Sequence, residues 1–258
     1  MKYYVFCQSD LVLEKTADGY QIPLQPPTDV KPWTTVMDVD GQKAYRIDKP
    51  LTGNSRYEMC PLRKSYFKLS ATDYRQAGKC HELLYWDQNT KFCGVCGGPM
   101  RFETPISKKC EHCGKEVWPQ LATAVIVLIS RHVDDGSPKG KEEVLLVHAN
   151  NFRHDFYGLV AGFVETGETL EEAVHREVLE ETGLSITNLQ YFGSQPWPYP
   201  CGLMVGFTAR YEHGKIHLQR SELSKGAWFD SYHLPQIPEK LSIARQLIDA
   251  WVEKVRVE

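Results

Sequence analysis

The chain has 258 residues, 42% of them hydrophobic, enough for one large core or two smaller ones. Its net charge of −3 excludes the global basic field that draws a protein onto nucleic acid or anionic membrane, so a polyanion must be held by a local site. No apolar run reaches the roughly 18 residues of a membrane span, and the N-terminus MKYYVFCQSDLVLEK soon turns polar, which reads as a soluble, unsecreted protein.

Residues 1–88 alternate short β-like runs (YYVF, LVLE, KAYRI) with turn signals such as Asp18-Gly19, Pro26-Pro27 and Asp40-Gly41, which predicts a small mixed α/β domain. A helix is expected over 72–87, with Leu83, Leu84 and Trp86 as core candidates and His81 in a structural or solvent role. Cys93 and Cys96 are then answered by Cys110 and Cys113, with glycines after each pair. Paired CxxC knuckles aim four thiolates at one point, so residues 89–118 read as a zinc ribbon holding one structural Zn²⁺ per subunit. A redox dithiol is the competing use of CxxC, and the second facing copy argues against it. The other cysteines, Cys7, Cys60, Cys80 and Cys201, are scattered, which fits a reducing cytoplasm better than a disulfide framework.

The texture changes after Trp118-Pro119, and residues 119–258 read as a third domain. Strands are expected at 122–130 and 142–149, separated by an exposed loop, HVDDGSPKGKE. Thr169 and Glu172 form a capping-box start and Gly183 a stop, so 170–182 is predicted helical. Leu170, Ala173, Val174 and Val178 share one arc of that helix, and the reading places Glu177, Glu180 and Glu181 on the same arc, with Glu172, His175 and Arg176 pointing away. Carboxylates crowded on a core-facing stripe repel one another unless a cation sits between them, and oxygen ligands alone suit Mg²⁺ or Mn²⁺. An acidic surface helix with i,i+4 pairs is the bland alternative. After the helix, NLQYFGSQ and LMVGFTARYE look like strands, followed by GKIHL, and a last helix spans roughly 240–254.

Gly162, Glu168, Arg176, Glu177, Val178, Glu180, Glu181, Gly183 and Leu184 fill every specified position of G-x5-E-x7-R-E-U-x-E-E-x-G-U, where U is apolar, so this segment resembles the Nudix box. The resemblance implies an α/β/α sandwich and a hydrolase of nucleoside diphosphates linked to another group, using divalent metal. Ser194, Gln195, Pro196, Trp197, Pro198, Tyr199 and Pro200 are similar to the SQPWPFPxS signature of NADH pyrophosphatases, with Tyr199 in place of phenylalanine and Gly202 in place of the final serine. From the residues alone, three prolines in five positions make a rigid extended loop whose aromatic rings can stack a flat ligand; a structural turn with Trp197 in the core is the alternative.

Together with the ribbon, these motifs make the chain similar to NudC-type NAD(H) pyrophosphatases, which also remove NAD caps from RNA. That resemblance implies metal ligation by the Ala161 carbonyl, Glu177, Glu181 and Glu222, with Glu180 a ligand or an acid behind one. Glu181 is the candidate base, with Glu222 behind it. It also implies substrate contacts from Arg63, Trp118, Ser194 through Cys201, and Ala244, and a homodimer. Arg176 is expected to hold Glu180 through the i,i+4 relation. Competing readings are a Nudix hydrolase of ADP-ribose or a dinucleoside polyphosphate, and a zinc-ribbon RNA-binding module with a vestigial hydrolase site.

Overall fold

The computed structural model describes residues 1–136, 140–150 and 156–257. The chain divides into two compact units, Met1–Leu121 with Trp197–Cys201, and Ala122–Pro196 with Gly202–Glu258.

The first unit begins with β1 (Tyr3–Cys7), β2 (Asp10–Thr16), β3 (Gly19–Gln21), β4 (Met37–Val39), β5 (Gln42–Arg46) and β6 (Tyr57–Pro61), then α1 (Leu62–Ser65) and α2 (Ala71–Asn89). The strands form a mixed sheet ordered β3-β2-β1-β5-β4, with β6 on β2 and β1 parallel to β5. Alternation sorts the side chains: Tyr4, Phe6, Leu11 and Leu13 pack with Ala77, Cys80, Leu83, Leu84 and Trp86 of α2, while Val5 and Val12 join Tyr45 and Tyr57 in a second cluster. Helix α2 starts where Ser70 accepts from the Asp73 amide at 3.1 Å. His81 of α2 is 5% exposed, and burial, followed by the Arg46 charge, pushes its pKa down to about 4.

The ribbon follows as β7 (Met100–Thr104), β8 (Ser107–Cys110) and β9 (Glu116–Val117), in one three-stranded sheet. Lys108 of β8 is buried with its ammonium 2.7 Å from Asp87 Oδ1 and 3.0 Å from the Asp87 and Thr90 carbonyls. A charge so placed is tolerated because every direction it faces holds an acceptor or the Trp86 and Phe102 rings.

The second unit contains β10 (Ala122–Val133), β11 (Lys141–Ala149), β12 (Val160–Phe163), α3 (Leu170–Thr182), β13 (Leu184–Trp197), β14 (Gly202–Gly214), β15 (Leu223–Asp230) and α4 (Ile243–Val257). Its sheet runs β13-β14-β10-β11-β15, with β12 on β10; β10 and β14 are parallel, and β11 and β12 lie antiparallel to β10. Val125, Val127 and Ile129 of β10 pack with Ala173, Val174 and Val178 of α3, whereas Ile126 and Leu128 pack with Ile243, Ala244, Leu247, Ile248 and Trp251 of α4. One helix therefore covers each face, as an α/β/α sandwich requires. No helix among the described residues is long and apolar enough to cross a membrane.

Several elements differ from expectation. Strands β10 and β11 extend the hairpin to a Val133–Lys141 pair, helped by Arg131 donating to Glu143 at 2.7 Å, so the polar loop is shorter than predicted. Part of that loop, 137–139, lies outside the described residues. Residues 215–218 are not strand, and β15, which pairs only with β11, had no sequence signal because an edge strand tolerates Lys225 and Gly226. Helix α4 starts three residues later than predicted, since the Leu241 carbonyl and Ile243 amide are taken by the Gln195 side chain at 2.7 Å each.

Candidate active site

The helix of the glutamate-rich segment forms where its caps dictate. Thr169 Oγ1 accepts from the Glu172 amide at 3.2 Å, the Glu172 carboxylate accepts from the Thr169 amide at 2.7 Å, and Gly183 turns the chain at φ 69°. Taking about 100° per residue, the buried arc from Ala173 to Val178 is centred about 10° from Glu181, about 30° from Glu177 and about 90° from Glu180. Exposure follows that order: Glu181 is 8% exposed, and the side chains of Glu177 and Glu180 are 13% and 53% exposed. The structure thus corrects the placement of Glu180, which lies on the rim of the helix and not on its core-facing stripe.

Arg176 makes more contacts than the one to Glu180 that was expected. Its Cα points away from the core, yet its long side chain folds back and is only 22% exposed. Nε and Nη2 donate to the two Glu168 oxygens at 2.9 and 2.5 Å, Nη2 also reaches the Phe163 carbonyl at 2.9 Å, and Nη1 donates to Glu177 at 2.8 Å. The expected i,i+4 bond to Glu180 is present and is the longest of these contacts at 3.3 Å. Glu168 also accepts from the Glu165 amide at 2.6 Å, and the guanidinium followed by that amide lowers its pKa to about 2.

Glu177 and Glu181 occupy contrasting surroundings. The Glu177 carboxylate lies over Gly162 of β12 so closely that a Cβ there would fall 2.0 Å from it, so the box glycine makes room for the acid. Gly162 follows Ala161, which pairs with Ile126 in the β12–β10 ladder. Glu181 receives no hydrogen bond on its carboxylate from any described residue. Burial, and after it the charges of Glu177, Glu222 and Glu180, pushes its pKa up to about 7. Glu222 is exposed in the turn before β15, where its carbonyl accepts from the Asn150 amide at 2.8 Å. The donor set is all oxygen, anionic and mutually repelling, with one acid desolvated, which fits a hard divalent cation.

The four cysteines differ. Among the described residues they are the one set of three or more Cys, His, Asp or Glu whose ligand atoms all lie within 4.8 Å of one another. Sγ of Cys93 is 3.7 Å from that of Cys113, and Cys96 is 3.5 Å from Cys110. The amides of Val95 and His112 donate to Cys93 and Cys110 at 3.4 Å, and Gly97 and Gly114 take φ of 70° and 74° to close the knuckles. The Cys113 and His112 amides hold the Cys110 thiol down to about 6; at Cys96 the Gly98 amide is outweighed by Cys113 and Cys110, and the pKa rises to about 12. The cluster can bind a metal ion such as zinc.

The proline-rich signature is divided between the two units. Ser194, Gln195 and Pro196 continue β13, an edge strand where proline is tolerated, so the rigid extended loop begins later than expected. Gln195 is engaged by the start of α4 at both ends of its amide. Trp197 to Cys201 belong to the first unit, where Arg63 lies 5.2 Å from the centre of the Trp197 ring and Trp197 and Tyr199 stand edge to face at 5.0 Å. The Tyr199 hydroxyl meets that of Tyr74 at 2.5 Å, which gives the phenol that replaces phenylalanine a partner. Gly78 of α2 lies under Pro198, leaving 3.0 Å between a Cβ there and Cγ. Trp118 is 51% exposed in the first unit, and Ala244 is packed in the core of the second. Tyr74 and Gly78 escaped the sequence reading, as did Phe163, a 66% exposed ring directly after Gly162 whose only signal is its neighbour.

An α/β/α sandwich carrying a capped glutamate helix against a glycine strand is the NUDIX arrangement, and residues 122–251 match the NUDIX domain model; the chain belongs to this family. Among curated relatives, the NAD-capped RNA hydrolase NudC of Salmonella paratyphi C (strain RKS4594) is 36% identical over 229 residues, covering 86% of this chain and 85% of the relative. The NAD-capped RNA hydrolase NudC of Deinococcus radiodurans is 39% identical over 211 residues, covering 81% of this chain and 74% of the relative.

Proposed function

We propose that this chain is a metal-dependent hydrolase that adds water across the pyrophosphate bond of NAD(H), releasing NMN(H) and AMP, and that it removes NAD caps from RNA 5′ ends. The observation that carries the reading is Glu181, desolvated, pushed up to about 7 and facing the charges of Glu177, Glu222 and Glu180, an arrangement that calls for a cation. The names of its relatives support the choice of substrate.

In this reading Glu177, Glu181, Glu222 and the Ala161 carbonyl hold Mg²⁺ or Mn²⁺, with Glu180 at the margin. Bound metal would neutralise charge on the phosphate oxygens and lower the pKa of the attacking water. Glu181 accepts the proton of that water, which metal binding would make acidic enough for a carboxylate to take. Arg176 positions Glu177 while its other edge is held by Glu168. The resemblance assigns substrate contacts to Arg63, Trp118, Ser194 through Cys201, and Ala244. Zn²⁺ in the four-cysteine site is structural. A homodimer working in the cytoplasm belongs to the same proposal.

The test compares NADH, ADP-ribose and NAD-capped RNA under matched Mg²⁺ or Mn²⁺, reading AMP and 5′-monophosphate RNA. NADH and capped RNA are expected to be cleaved well ahead of ADP-ribose; ADP-ribose cleaved as fast as NADH would remove the nicotinamide side from the substrate definition.

A further inference from the structure

The first unit contains a cavity of about 630 Å³ lined by none of the candidate metal ligands. An adjoining hollow of about 280 Å³ shares Thr34, Arg46, Ile47 and Asp48 with it. Six buried side-chain polar atoms among the described residues have no hydrogen-bond partner, and two of them, Arg46 Nε and His81 Nδ1, belong to residues lining the larger cavity, whereas a third, Tyr45 Oη, belongs to a residue of the smaller hollow that packs on the opposite face of the sheet. His81 is 5% exposed, so it is not a surface group idling in water. Buried polar atoms are ordinarily satisfied, and a pair of exceptions around one space marks a place where something polar is received.

The charges state the sign of that ligand. Asp48 is paired with Lys31, and Asp87 with both Lys91 and Lys108 at 2.7 Å, so the carboxylates lining the larger cavity are already matched. Arg46 has no carboxylate partner among the described residues; its Nη1 donates to the Gln8 carbonyl at 2.7 Å, from a residue in the left-handed region at φ 55°. A half-buried guanidinium with no carboxylate partner and with a partnerless Nε–H favours an anion, its planar fork suits a phosphate or a carboxylate, and neutral His81 adds an acceptor in Nδ1 for a hydroxyl carried by that ligand. On the rim Trp33 is 74% exposed, and Tyr85 adds a second ring, so a flat group attached to the anion has a face to stack on. The space is large enough for a nucleotide.

We propose that Arg46 and His81, with Trp33 at the rim, form a second nucleotide site, built wholly from the first unit. Pro200 also lines the larger cavity, and the Pro198 and Pro200 carbonyls border His81, so the ligand lies against the loop that carries Trp197 and Tyr199. A free nucleotide and a nucleotide unit of an RNA chain share this chemistry.

The experiment is calorimetric titration of the full chain with AMP, with inorganic phosphate as reference. The wild-type chain is expected to take one AMP equivalent that depends on Arg46, about tenfold tighter than phosphate, because the ring contributes to stacking. Arg46→Met removes that equivalent. Gln88→Trp, on the exposed side of α2, fills the cavity mouth without touching the core and removes it too, which keeps the test decisive where Arg46→Met fails to fold. AMP isotherms that superpose for wild type and Gln88→Trp overturn the site, and phosphate binding as tightly as AMP overturns its assignment to nucleotides. An AMP equivalent at the hydrolase carboxylates is insensitive to both substitutions, so failure there is read separately. Titration with a 5′-monophosphorylated oligoribonucleotide names the source: an Arg46-dependent gain over AMP identifies RNA, and no gain identifies the free nucleotide.

Discussion

The four cysteines and the box glutamates are both candidate ligand sets, and their side chains are arranged in opposite ways. The cysteine sulfurs stand together, 3.5 and 3.7 Å apart in two pairs, because thiols can share protons and the knuckle amides donate to them. Carboxylates cannot wait in that manner. Glu177 is occupied by Arg176 at 2.8 Å, Glu180 stays in solvent, and Glu181 alone is desolvated. A structural metal site couples binding to folding, whereas a hydrolytic site spends its acids on the cation and substrate of the reaction. The difference is measurable, because removing a ligand from the first set costs fold and removing one from the second costs rate.

The largest effect is expected at the cysteines. Cys110→Ser removes a ligand from a site whose apparent metal-binding free energy is of order 10 kcal/mol, so it is expected to lose the bound metal equivalent and lower the unfolding midpoint of the chain. Metal analysis together with thermal unfolding checks this; full metal content at an unchanged midpoint would break the comparison, since the cysteines would then not hold the fold together. Glu181→Gln is expected to behave in the opposite sense, with turnover down about 10²–10⁴-fold and folding intact. Retention of more than about a tenth of the rate removes Glu181 from the base role.

A smaller effect separates ligands from the group that positions them. Arg176→Lys keeps a charge but cannot span Glu168 and Glu177 together, and a loss of about 10–100-fold in rate is expected, as for other groups that orient ligands. Glu168→Gln weakens the same clamp from its other end, so the double substitution is expected to cost little more than Arg176→Lys alone. Additive losses would mean that Glu168 acts on the reaction by another route.

The same contrast between local and distant determinants explains what could be read from the sequence. The box helix was legible to its last residue, because Thr169, Glu172 and Gly183 set both ends by contacts within it. The cysteine knuckles were legible for the same reason. Glu180 was misplaced although the wheel itself sets it about 90° from the centre of the buried arc, at a rim where it meets Arg176 and solvent. The task of Gln195 depends on Leu241 and on Ile243, the first residue of α4, 46 and 48 residues away, and the partner of Tyr199 is Tyr74, 125 residues earlier. β15 was missed because a strand with one neighbour needs no alternation of apolar residues.

The finest test concerns the energy stored in keeping the carboxylates ready. The pKa of Glu181 in the folded chain is raised from 4.5 to about 7, so between these values the folded state binds more protons than the unfolded state. Stability of the metal-free chain therefore falls as pH rises through that window, and the cost stays in force above it. Glu181→Gln has no such charge to desolvate and is expected to be more stable than wild type by about 1–3 kcal/mol near pH 8 without metal, the gap closing below about pH 4.5. Saturating Mg²⁺ or Mn²⁺ stabilises wild type more than the variant, because the ligand binds the folded state alone and lowers the cost of the charge. Denaturant midpoints near pH 5 and pH 8, with metal and with chelator, supply the four values. A gap that is equal at both pH values would show that Glu181 carries its charge in the folded chain at no cost, and the acids would then be as settled without metal as the cysteines are.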